Sequence, residues 1–247
     1  MRTTLPLPPL NPRTDALFLD FDGTLTEIVD RPEDARLTSS RAERLSTLVP
    51  LFSGAVAVLS GRAVRVLDER LPPGLWRAGG HGTELAGPGA SAAIDATQAN
   101  RAKALAERIQ PFVSAADGLV LESKPYGAAL HFRARPDLEA ACRDTVAAAA
   151  REIGGFALQS GKMVVEARPE AIDKGTAMRA LCARPPFAGR RPVMVGDDET
   201  DEAAMRVACE LGGIAVKVGS GTSCAGHRLA SPAAVHDWLQ RILSQAH

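Results

Sequence analysis

Aromatic residues make up only 4% of the 247-residue chain, too few for the interleaved stacking platforms on which single-stranded nucleic acids are held. An excess of one charge sign is also missing. Lys and Arg number 29 and Asp and Glu 29, so no whole-chain field gathers nucleic acid or an anionic membrane, and neither partner is expected. The cysteines Cys142, Cys182, Cys209 and Cys224 form no Cys-x-x-Cys pair; this argues against a zinc knuckle or disulfide framework and for reduced thiols in a cytoplasmic protein. No apolar run approaches the ~20 residues of a membrane span. Four prolines interrupt residues 1–12 where a secretory signal needs an unbroken apolar stretch, so residues 1–11 read as an extended leader. Internal repeats and low-complexity tracts are absent too. What remains is ordinary globular composition, 45% hydrophobic and 23% charged, with length for one large domain or two modest ones.

Short apolar runs alternate with helical stretches at both ends of the chain. Ala16 to Phe21 and Ala55 to Leu59 read as buried strands. Ser39 to Leu48 reads as a Ser-capped helix stopped by Pro50, and a further helix runs to about Arg70. The pattern returns as helix 173–182, strand 192–195, helix 198–208, strand 214–218 and a last helix ending near Leu243. This order predicts a parallel sheet covered by helices. Between these blocks the order is helix (98–112), strands (119–124 and 128–133), helix (138–153), strands (156–159 and 163–167), which predicts an α+β insert over residues 96–169 within an α/β domain formed by 12–95 and 170–247.

The sharpest local signal is Asp20-Phe21-Asp22-Gly23-Thr24 at the end of the first apolar run. Carboxylates at i and i+2 share a strand face, and Gly23 permits a sharp turn. A second acidic run, Gly196-Asp197-Asp198-Glu199-Thr200-Asp201-Glu202, follows another buried strand. If those strands are parallel neighbours, both clusters occupy one sheet edge. Crowded carboxylates are costly unless a cation sits between them or one carboxyl holds a proton, and this oxygen-rich set suits Mg²⁺. Asp198 and Glu199 read equally well as acids at a helix N-terminus. Ser60-Gly61-Arg62 offers a hydroxyl and N–H groups to an anion, or simply makes a turn. Lys174 opens a helix, an unfavourable place for a cation unless an anion accompanies it; otherwise it is an exposed lysine.

Together these four segments resemble the haloacid dehalogenase superfamily of phosphotransferases. The resemblance implies a Rossmann-like parallel-sheet core with an inserted α+β cap of the C2 type. It further implies Asp20 as nucleophile, Asp22 as general acid and base, and Ser60 and Lys174 as holders of the transferring phosphoryl. Mg²⁺ would sit on Asp20, Asp197 and the main-chain carbonyl of Asp22, with Asp198 or Asp201 assisting.

Further segments, Gly80-His81-Gly82-Thr83-Glu84, Glu122-Ser123-Lys124, Ala128 to Arg133, Gly161 to Glu166 and the Gly196 to Glu202 run, are similar to those of trehalose-6-phosphate phosphatases. By that resemblance Arg62, His81, Gly82, Glu122, Lys124 and Glu166 bind the substrate, and the cap closes over the acidic edge. The expected activity is Mg²⁺-dependent release of phosphate from trehalose 6-phosphate through an aspartyl-phosphate, by a monomer with a small sugar phosphate as its partner. From spacing alone, Glu122 and Lys124 read as a solvated ion pair. Glu199 is a departure from the pattern and is expected either to face solvent or to add negative potential. His131 is expected to orient a neighbour; His227, His236 and His247 are expected at the surface, and Trp76, Tyr126 and Trp238 in packing roles. Rival readings are a phosphatase of sucrose 6-phosphate or mannosyl-3-phosphoglycerate, a phosphomutase, and a sensor that binds without turnover.

Overall fold

The computed structural model describes residues 6–29, 31–92 and 96–245; the start of the leader and His247 lie outside them. In chain order the elements are β1 (Asp15–Asp20), α1 (Ser39–Leu51), β2 (Val56–Leu59), α2 (Val64–Asp68), β3 (Trp76–Gly79), β4 (Glu84–Ala86), α3 (Ala96–Ser114), β5 (Val120–Lys124), β6 (Gly127–His131), α4 (Glu139–Ile153), β7 (Phe156–Gly161), β8 (Val164–Pro169), α5 (Lys174–Cys182), β9 (Arg191–Gly196), α6 (Glu202–Glu210), β10 (Ile214–Val218), β11 (His227–Leu229) and α7 (Pro232–Gln245). They fall into two compact units, Met1–Ala93 with Ile172–His247, and Ile94–Ala171.

The first unit holds a seven-stranded sheet in the order β11-β10-β9-β1-β2-β3-β4, parallel except for the β3–β4 pair. Helices cover both faces, which is why β1 is apolar at successive positions rather than at alternate ones. Leu17 and Leu19 face a core shared with Leu45 of α1 and Leu239 of α7, whereas Ala16 and Phe18 face Met178 and Leu181 of α5 and Met205 of α6. Adjacency of β1 and β9, with Leu19 opposite Val195, brings the ends of both strands to one edge. At the opposite edge Arg191 donates two 2.8 Å bonds to the fully buried Asp15.

The second unit is an antiparallel sheet, β5-β6-β8-β7, with α3 and α4 on one face. Leu105, Ile109, Cys142, Val146, Leu130 and Val165 form its core. Glu122, Ala129, Glu166 and Gln159 stand in register across the four strands and so share the other face.

Several elements differ from the sequence reading. The cap of α1 is Thr38, whose side chain accepts from Arg41 N–H. Pro50 removes one donor in the last turn without stopping the helix, because Phe52 N–H still reaches the Leu48 carbonyl at 2.9 Å. Helix α6 starts at Glu202 rather than Asp198, since side chains of Asp198 and Asp201 capture the intervening N–H groups in a turn. Strands β4 and β11 have three residues each, too few to carry a periodic signal, and β3, Trp-Arg-Ala-Gly, has no apolar run. His236 is buried, donating from Nε2 to the Leu25 carbonyl at 2.8 Å, because α7 turns that position toward the Phe21–Leu25 segment; it is not a surface residue. His227 is half-buried in β11. Tyr126 and Trp238 are buried, and Trp76 packs edge-on to Phe187. No helix among the described residues is long and apolar enough to cross a membrane.

Candidate active site

Strand β1 ends in Asp20, which is buried, and the chain then turns at Gly23 with φ +83°. A Cβ at Gly23 would lie 2.2 Å from Asp197 Oδ2, so glycine is needed both for the turn and for the approach of the second acidic segment. Thr24 Oγ1 donates to Asp197 Oδ1 at 3.2 Å, joining residues 173 positions apart. The strand ends therefore meet, and Asp20, Asp197 and Asp201 bring carboxylate oxygens within 4.8 Å of one another.

Lys174 stands among them. Asp173 caps α5 in a reciprocal capping box with Thr176, which sets the first residue of the helix, and Lys174 Nζ donates to Asp20 Oδ1 at 2.7 Å and to Asp201 Oδ1 at 2.6 Å. Its side chain is 3% exposed. Burial alone would lower the ammonium pKa, but the two carboxylates outweigh it and hold it raised. Asp20 is raised well above the ordinary carboxylate range by burial, with Lys174 opposing and Asp201 and Asp197 reinforcing the rise. Asp197 and Asp201 are likewise raised, chiefly by burial.

Three carboxylates around one ammonium leave surplus negative charge among hard oxygen donors, a composition that fits a divalent cation such as Mg²⁺. The members are not equivalent. Asp201 is fully engaged, Oδ1 by Lys174 and Oδ2 by the N–H groups of Asp197 and Asp198 at 2.9 and 3.1 Å, so it braces the loop. Asp20 and Asp197 retain the capacity to ligate. Asp198 is exposed and spends Oδ1 on Thr200 and Asp201. Partial desolvation of its carboxyl would raise its pKa, but these bonds and Lys174 hold it below the usual range. Glu199 is exposed.

Asp22 is directed elsewhere. Arg62 grips its carboxylate with Nε and Nη2, both at 2.6 Å, and lies over the Phe21 ring at 5.5 Å. This bidentate fork fixes the angle of Asp22. Ser60 is buried, its Oγ accepting from Arg62 N–H at 3.1 Å. The Ser60–Val64 loop is held by the next segment: His81 N–H donates to the Ser60 carbonyl, Gly80 N–H to the Arg62 carbonyl, and the buried Glu84 accepts from Val64 N–H at 2.5 Å. The His81 ring lies against Gly61, and Gly82, at φ +110°, abuts the Asp173 carbonyl so closely that a Cβ would come within 2.4 Å. Thus Gly82 and Glu84 support the loops that carry Lys174, Ser60 and Arg62.

In the second unit, Lys124 donates to Glu166 at 2.7 Å and His131 pairs with Glu122 at 3.0 Å. The expected Glu122–Lys124 partnership is replaced by cross-strand pairs because the sheet register sets Glu122 and Glu166 in one row.

Sequence reasoning does not single out Thr24, Glu84 or Lys217, the last of which donates to the Asp197 carbonyl. The first two lie inside recognisable segments; Lys217 has no local signal.

Residues 18–233 match the model of the family described as trehalose-phosphatase. A probable trehalose-phosphate phosphatase of Sinorhizobium fredii is 36% identical over 206 residues, covering 83% of this chain and 77% of the relative. The trehalose-6-phosphate phosphatase of Escherichia coli is 35% identical over 228 residues, covering 92% and 86%. A solved structure of the Aspergillus fumigatus trehalose-6-phosphate phosphatase superposes with a TM-score of 0.70 at 25% identity, covering 96% of this chain and 99% of that one.

Proposed function

Because the chain belongs to the trehalose-phosphatase family, we propose that it hydrolyses trehalose 6-phosphate to trehalose and inorganic phosphate through an aspartyl-phosphate. The observation that carries this reading is the buried Lys174, bonded to Asp20 and Asp201 beside Asp197. That arrangement aims a carboxylate and an ammonium at one point, where a phosphate dianion would otherwise be repelled.

Asp20 attacks phosphorus in line, forming an acyl-phosphate bond as the bond from phosphorus to the sugar oxygen breaks. Asp22, set at its angle by Arg62, gives a proton to the departing oxygen. It then takes one from the water that attacks the aspartyl-phosphate, which frees phosphate and restores Asp20. Lys174 and the Ser60 hydroxyl hold the phosphoryl oxygens throughout. Asp20 and Asp197 would hold Mg²⁺, whose charge, when bound, offsets that of the phosphate. Glu122, Lys124 and Glu166 supply acceptors and a donor suited to neighbouring sugar hydroxyls.

The test is phosphate release from trehalose 6-phosphate, sucrose 6-phosphate, mannosyl-3-phosphoglycerate and glucose 6-phosphate, each with and without a chelator. Preference for trehalose 6-phosphate and loss with chelator are expected. A clear preference for another ester overturns the substrate, isomerised sugar phosphate without free phosphate overturns the hydrolysis, and chelator-insensitive turnover overturns the metal.

A further inference from the structure

Strand β10 reads Ile-Ala-Val-Lys-Val and is buried at every position, with Lys217 only 5% exposed. A buried ammonium is costly unless it is paired. Its opposite residue on β9 is Gly196, and Nζ donates to the main-chain carbonyl of Asp197, 20 residues away in sequence. A neutral carbonyl is modest compensation for a buried charge, so the favourable surroundings must include the acids nearby. One is Glu202, whose carboxyl burial would raise but which bonds from Cys224 and Ser223, with the charge of Lys217, hold below its usual value.

The consequence is geometric. Asp197 is fastened at three points: its N–H to Asp201 Oδ2 at 2.9 Å, its carboxylate by Thr24 at 3.2 Å, and its carbonyl by Lys217. Fixing the N–H and the carbonyl of one residue fixes the direction of its Cα–Cβ bond. The narrow approach to Gly23 leaves the carboxylate little other room.

We infer that Lys217 is a positioning residue for Asp197: its bond to the main-chain carbonyl holds that carboxylate beside Asp20, and losing it weakens divalent-cation binding. The inference rests on the cation site proposed above. A lysine acting only as a counter-charge has the opposite sign, since its removal would make the site more negative and tighten Mg²⁺.

Calorimetric titration of the full chain with Mg²⁺, in the wild type, Lys217→Met and Lys217→Gln, separates the two. The expected result is at least about tenfold weaker Mg²⁺ binding in Lys217→Met, with Lys217→Gln, which keeps a donor but no charge, lying between it and the wild type. Folding is checked by circular dichroism and by the melt of the metal-free protein. Should Lys217→Met not fold, Lys217→Gln decides, and weaker binding there supports the positioning role. Mg²⁺ binding equal to or tighter than wild type in the folded variants overturns the proposal, as does failure of both variants to fold, which assigns Lys217 to the fold. No Mg²⁺ binding by the wild type overturns the cation site itself, a distinct outcome.

Discussion

The acidic edge of the parallel sheet and the polar face of the antiparallel sheet both present Lys–carboxylate pairs, at nearly equal distances. Lys174 lies 2.7 Å from Asp20 and Lys124 lies 2.7 Å from Glu166. Their surroundings differ: the first pair is 3% and 6% exposed, the second 22% and 26%. A buried pair has surrendered its hydration and is strongly destabilising when one partner is lost, whereas a half-buried pair keeps part of its hydration and can exchange its partner for water or a hydroxyl at smaller cost. The first arrangement suits bond making and breaking at a fixed point, the second the recognition of a polyhydroxylated molecule.

The largest effect belongs to the buried edge. Asp20→Asn is expected to lower phosphate release by on the order of 10³-fold or more while the protein keeps its helical circular-dichroism spectrum; an undiminished rate would remove Asp20 as nucleophile. Next, Lys174→Met leaves two buried carboxylates without their shared cation, and urea unfolding in metal-free buffer should show a loss of about 3–5 kcal/mol. A loss below about 1 kcal/mol would erase the contrast between the two regions.

On the polar face, Glu166→Gln is expected to raise KM about tenfold, equivalent to about 1.4 kcal/mol, while unfolding stability moves by less than about 1 kcal/mol. Steady-state kinetics in which kcat falls and KM holds would assign Glu166 to the chemistry instead.

The smallest effect concerns His236. Burial lowers its pKa, partly opposed by the Leu25 carbonyl, and Nδ1 is buried without a partner among the described residues, so protonation would strand a second donor. The unfolded chain, with an ordinary value of about 6.5, binds the proton more readily. The stability from a neutral His236 is therefore complete above about pH 6.5 and is lost as pH falls toward the folded value. Urea unfolding between pH 7.5 and 5 should become less steep with pH in His236→Gln, by at most about 1.4 kcal/mol per pH unit. An identical slope in the variant would leave His236 out of the pH response.

The paired strands of the parallel sheet are legible in the sequence because both faces are buried and the apolar runs are continuous. So is the meeting of Asp20 with Asp197, since acids at the ends of buried strands are costly unless they gather around a cation or share a proton. Two kinds of information are not. The partner of a charged side chain depends on register and rotamer, which is why Arg62, expected to touch substrate, is found gripping Asp22, and Lys124 pairs with Glu166. A residue whose contribution runs through main-chain atoms also leaves no local pattern: Lys217 and Glu84 act on the Asp197 carbonyl and the Val64 N–H.

Adjacency of β1 and β9 has an architectural consequence. The two acidic segments are neighbours in the sheet, and the unit Ile94–Ala171 enters the chain between β4 and α5 without adding a strand to that sheet, so it can be lengthened, shortened or exchanged without altering how those segments face each other. A scaffold wired this way tolerates a change of cassette while its core stays put.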